Sequence, residues 1–124
     1  MEERIRKIEE RLDLVEFRQE LLFEESNVSR YLFECNVNKR QYKALMNLME
    51  EIRVELDNHR EVSHHSYEQK VYVIVNARQG DYHFCEDLAR SFMEDERWEE
   101  VFPALYGKLD KYNYLMETLH NKEK

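Results

Sequence analysis

The chain has 124 residues, of which 42% are hydrophobic and 37% charged, and it carries a net charge of −8. That balance excludes a disordered chain, and no apolar run approaches the roughly 20 residues of a membrane-spanning helix. Lysine and arginine are scattered among the acids, and the net negative charge repels phosphate backbones, so neither nucleic acid nor a membrane is expected as a partner. With two glycines and one proline there is little material for the many tight turns of an all-β protein. The abundance of Glu, Leu, Met, Arg and Lys favours helix. The expected class is therefore all-α, a compact bundle of five or six helices with an amphipathic N-terminal helix.

The first predicted helix covers roughly residues 2–24. Along "RIRKIEERLDLVEFRQELL", Ile5, Ile8, Leu12, Val15 and Leu22 fall at the a and d positions of a heptad, with Gln19 in the remaining a slot. Arg4, Arg11 and Arg18 take the g edge, and Glu9, Glu16 and Phe23 take the e edge. In a parallel pair of such helices each g residue meets the e residue five positions on in its partner, which is attractive for Arg4 with Glu9 and Arg11 with Glu16. Ile5, Ile8, Leu12, Val15, Gln19 and Leu22 are thus the candidate interface, and a second copy of the chain is the expected partner. Leu14, Phe17, Leu21 and Phe23 widen the stripe. One side of the helix is therefore expected to pack on its own domain and the other on a neighbour, with Phe17 and Leu21 joining the interface. This divides the chain into a self-association helix over residues 1–25 and a helical bundle over residues 26–124.

After that helix, Ser26 or Asn27 caps a short helix "VSRYLFEC". Asn38 and Gln41 have capping-box spacing ahead of "KRQYKALMNLMEEIRVELD", whose Tyr42, Leu45, Met49, Ile52 and Leu56 recur at helical intervals. Residues 58–66 read as a polar loop with Ser63 or Ser66 as the next cap. "VYVIV" has strand propensity, but a lone strand would lack a partner, so residues 64–77 are expected to form a buried helix. Asp81 caps "YHFCEDLARSFMEDE", with Phe84, Cys85, Leu88 and Phe92 on one face. Asp95 is expected to cap a final helix from Glu96 through Trp98, Val101, Leu105, Leu109, Tyr112, Met116 and Leu119. Pro103 would kink that helix or restart it in its first turn. Trp98 is expected to be buried between the last two helices, and the tail "NKEK" to fray.

Candidate chemistry is thin. Glu61 with His64 and Glu117 with His120 have the Glu-x-x-His spacing of carboxylate-bundle metal sites, but a chain this rich in glutamate supplies such pairs by chance. His83 and Cys85 are two apart and diverge on a helix, so they do not pair as base and nucleophile. No Gly-rich phosphate loop, G-x-S-x-G or C-x-x-C motif occurs. The expectation is therefore no enzyme and no cofactor. The alternatives are a metal-dependent carboxylate-bundle enzyme and, behind it, a DNA-binding regulator. The two cysteines suit free thiols in a reducing compartment, and the charged N-terminus lacks the apolar stretch of a signal peptide, so the expected location is cytoplasmic. The acidic run Met93 to Glu100 reads as a solvated turn, with a docking face for a basic protein partner as the alternative.

"LARSFMEDERWEEVFPALYGKL" resembles one tetratricopeptide hairpin, but no second copy follows it. A wider likeness rests on "RKIEERL", "NKRQYKALMNLMEEIRVEL" and "GDYHFCEDLARSFMEDERWEEVF". In that order, over residues 1–110, they resemble the YhaI-like family of small helical Bacillus proteins of unknown function. The resemblance implies a self-associating helical bundle and brings no activity or catalytic residues. The extension "DKYNYLMETLHNKEK" departs from that family's pattern.

Overall fold

The computed structural model describes residues 1–109, and these fold into six α-helices with no strand among them. The helices are α1 (Glu2–Glu24), α2 (Asn27–Glu34), α3 (Lys39–Asp57), α4 (His64–Ile74), α5 (Tyr82–Glu94) and α6 (Val101–Tyr106), with a 3-10 turn at Asn76–Arg78. The expected extension of the last helix through Tyr112, Met116 and Leu119, the Glu117–His120 pair and the tail all lie outside the described residues.

Local chemistry sets most boundaries. Ser26 accepts from the Ser29 N–H while the Ser29 hydroxyl receives the Ser26 N–H, a reciprocal box that starts α2. Asn38 and Gln41 do the same for α3, and Ser63 caps α4 through the Ser66 N–H. The helix stops are less ordinary for a chain so poor in glycine. Asn36, His59 and Glu96 take left-handed backbone at φ 58°, 58° and 61°, one residue past the caps of α2, α3 and α5. At each, the next N–H returns to a carbonyl in the last turn: Val37 to Leu32, Arg60 to Glu55 and Arg97 to Phe92. These are Schellman stops made with residues other than glycine.

The "VYVIV" segment is helical up to Ile74. Val75 then leaves the helix at φ −119° yet stays buried, so the predicted end at residue 77 becomes a 3-10 turn instead. Gly80, at φ 83°, supplies the reversal into α5, a backbone region that costs glycine little.

The core forms around α5. Its Phe84, Cys85, Leu88, Ala89 and Phe92 are all at most 1% exposed. α2 and α6 pack against it, α4 contacts it as well, and α3 closes the other side against α4 and α6. Val28 and Leu32 come from α2, Leu45, Met49 and Ile52 from α3, Val71 from α4 and Phe102 from α6. Each such side chain contributes roughly 1.5–3 kcal/mol on burial. The buried hydroxyls are satisfied: Tyr67 donates to the Cys85 carbonyl at 2.8 Å and Tyr106 to Glu68 at 2.7 Å.

Two expectations near the C-terminal end are corrected. Asp95 does not cap a following helix. It is the C-cap of α5, and residues 95–100 form a turn before α6, which restarts with Pro103 in its first turn. Trp98 is half-buried rather than buried. It stands edge-on to Phe92 at 5.2 Å, donates its indole N–H to Glu50 at 2.9 Å, and has a left-handed φ of 49°.

Candidate interaction surface

α1 has two different halves. Residues 1–13 are all exposed, a projection of about 20 Å at 1.5 Å per residue. Glu2 and Glu3 sit in the first turn, where the helix dipole favours acid, and Arg6 bridges Glu3 at 2.9 Å and Glu10 at 3.0 Å. Each such exposed pair contributes only about 0.2–0.5 kcal/mol. The second half is anchored. Phe17 and Leu21 are 4% and 1% exposed, and the Phe17 ring lies 5.7 Å from that of Tyr42. Arg18 stacks over Phe33 at 4.0 Å and donates to the Asn36 side chain. Lys39 reaches Glu20 at 3.8 Å and Arg97 reaches Glu24 at 3.9 Å.

The opposite face carries the heptad seam. Ile5, Ile8, Leu12, Val15 and Leu22 are 50%, 51%, 56%, 52% and 51% exposed, and Gln19 is exposed with them. At about 100° per residue the centre of this seam lies roughly 150° around the helix from Leu14, Phe17 and Leu21. Nothing in the described part of the chain covers it. Phe17 and Leu21 therefore do not join the seam as expected: they are the anchor that turns it outward. Phe23, at 92% exposed, lies on the edge of the seam.

The seam's edges are charged and unspent. Arg4, Glu9, Arg11 and Glu16 make no ion pair or side-chain hydrogen bond among the described residues. The third g-edge arginine, Arg18, is taken up by Asn36 and Phe33, and the residue that would face it across a pair is Phe23 rather than an acid.

An open cleft of about 1090 Å³ lies between α1 and α3, with Leu14 and Phe17 of the anchored face in its lining. One wall is acidic, with Asp13, Glu16 and Glu20, and the other basic, with Lys39, Arg40 and Lys43. A smaller cleft of about 490 Å³ lies between α3 and α4, lined among others by Glu51, Glu55, Glu61 and Tyr67.

Among the described residues, those singled out for chemistry are not brought together. Glu61 is exposed in the loop before α4, and His64 opens that helix with its ring 5.6 Å from Tyr106. Among the described residues no three His, Cys, Asp or Glu side chains converge where they could hold a metal ion. Cys85 is fully buried and its burial pushes the thiol up to about 12, while His83 lies outside against Tyr82. Burial also raises the half-buried Cys35 thiol. Both cysteines are free. Within the acidic run, Asp95 turns inward and Arg97 lies over the Phe92 and Trp98 rings at 5.3 and 5.2 Å. These two roles had no signal in local spacing.

No helix among the described residues is long and apolar enough to cross a membrane. Searches against protein-family models, curated proteins and solved structures found no match to this chain.

Proposed function

We propose that this protein is a non-catalytic, homo-oligomeric interaction module, a scaffold or regulatory component of the cytoplasm, that assembles through the outward seam of α1. The observation that carries the reading is the exposure of Ile5, Ile8, Leu12, Val15 and Leu22 along one face of a helix anchored by the other. An isolated helix of the length of residues 1–13 is marginal in water, so the projecting half gains most from a partner that covers the seam. A contiguous apolar stripe rimmed by charge is the mark of a protein interface rather than of a solvated surface. The occupant is a second copy, because one edge carries Arg4 and Arg11 and the other Glu9 and Glu16, so the surface complements itself. Kinship with the YhaI-like family is part of the same proposal and rests on the three sequence stretches alone. A further protein partner would bind an assembly rather than a lone chain. Light scattering across a concentration series tests the reading: a mass rising above the 15.4 kDa of one chain supports it. A constant 15.4 kDa up to ~100 μM, the range of weak assemblies, overturns it.

A further inference from the structure

Resting on that reading, we infer that the two copies of α1 lie parallel and in register, so that both globular domains stand at one end of the paired helices and both free N-termini at the other. Two observations carry the orientation, and a third is compatible with it. First, the four seam-edge charges that a parallel register pairs, Arg4 with Glu9 and Arg11 with Glu16, are all without an ion-pair partner among the described residues of one chain. Second, the g-edge arginine whose parallel partner would be Phe23 is the one the fold has taken for itself: Arg18 binds Asn36 and stacks on Phe33. A fully overlapped antiparallel pair would instead set Arg11 against Arg18 and Glu9 against Glu16, like charge against like. Third, the anchor residues Phe17 and Leu21 lie in the second half of the helix and about 150° from the seam. The two domains therefore sit outboard on opposite sides of a parallel pair and leave the seam free along its length. The assembly is a fork that presents two copies of the α2–α6 surface in the same direction. Gln19 then meets its counterpart at an a position, where a polar residue specifies register.

Cysteine cross-linking reads the orientation. With Cys35→Ser as background and Cys85 fully buried, Ile5→Cys and Leu22→Cys proteins are mixed, oxidised with copper phenanthroline and examined by intact mass. A parallel pair brings Ile5 to Ile5 and Leu22 to Leu22, so only disulfides between like variants are expected, because a disulfide needs Cβ atoms within roughly 3.5–4.5 Å. Mixed disulfides between the two variants would establish the antiparallel arrangement and overturn the inference while leaving self-association standing. An oligomeric wild type with no cross-link at either position also overturns it. A wild type that stays monomeric removes the underlying reading instead. As a second measurement, Arg4→Glu with Arg11→Glu is expected to weaken self-association on the order of tenfold or more. Unchanged association in that variant would contradict the parallel pairing.

Discussion

The carboxylate of Asp95 accepts two hydrogen bonds from Asn27, one from its backbone N–H and one from its side-chain amide, both at 2.9 Å. The second oxygen accepts the Val28 N–H at 2.8 Å. Asp95 closes α5 in sequence and caps α2 in space, across 68 positions. It thereby fixes the helix that α1 packs against to the helix at the centre of the core. Asp95→Ala leaves those N–H groups without their acceptor and is expected to cost about 2–3 kcal/mol. Urea denaturation checks this through a lower midpoint at an unchanged slope.

The two faces of α1 respond differently to truncation. Phe17→Ala removes a buried ring and is expected to destabilise the fold by about 3–4 kcal/mol. Ile8→Ala, on the exposed seam, is expected to change the unfolding free energy of the dilute monomer by no more than ~0.5 kcal/mol. Thermal unfolding of the two variants side by side at low concentration shows the difference. Equal losses would place the seam inside the protomer's own core.

Trp98 is the chain's one tryptophan, which makes its emission a specific probe. The indole N–H bound to Glu50, helped by Arg53, holds that carboxyl below its ordinary value of 4.5. A carboxylate depressed in the folded state stabilises above its unfolded value, and that contribution is lost as the pH falls through the folded one. Trp98 emission is therefore expected to shift with a midpoint below pH 4.5 in the wild type, and Glu50→Gln is expected to abolish the transition.

At the other end of the scale the fold is sensitive to alkali. Burial pushes Cys85 from 9.0 up to about 12 and Tyr72 from 10.0 up to about 12, and raises Tyr31, Tyr67 and Tyr106 as well. Between pH 9 and 12 the unfolded chain gives up protons that the folded chain keeps, so stability falls as the pH rises through that window. Urea midpoints measured from pH 8 to 11 are expected to decline steadily above 9. In the same range Cys85 stays silent to Ellman's reagent until the protein unfolds.

What could be read from the sequence was local. The box at Asn38 and Gln41 stands where its spacing put it, and of the paired candidates the structure uses Ser26 rather than Asn27 and Ser63 rather than Ser66, each joined to a residue three positions on. The 3.6 periodicity of α3 and α5 identified their buried faces. The six-heptad-position seam was equally plain, and its exposure is what the structure adds. Phe17 and Leu21 looked like the margin of one broad stripe, because sequence shows which apolar residues share a helix but not which of two neighbours will cover them. Asp95 departs from its expected role for a similar reason: an acid before "ERWEE" has the pattern of a helix cap, and its true partners, Asn27 and Val28, are in α2. The last helix, expected from Glu96 with a kink or restart at Pro103, begins only at Val101 because Glu96 and Trp98 take left-handed backbone, an unusual choice for both residue types.

Sedimentation equilibrium of the Ile8→Asp, Leu12→Asp double variant beside the wild type, with circular dichroism on both, decides whether the α1 seam is an interface between copies. Both side chains are about half exposed, so the new carboxylates remain hydrated in the monomer and the α2–α6 core is untouched. If the seam is the interface, the wild type is oligomeric at ~100 μM and the variant sediments as a folded 15.4 kDa monomer with the helical spectrum of α2 to α6 intact. A wild type that is itself a folded monomer at that concentration, or a variant that unfolds cooperatively because its carboxylates are forced into a core, would contradict it.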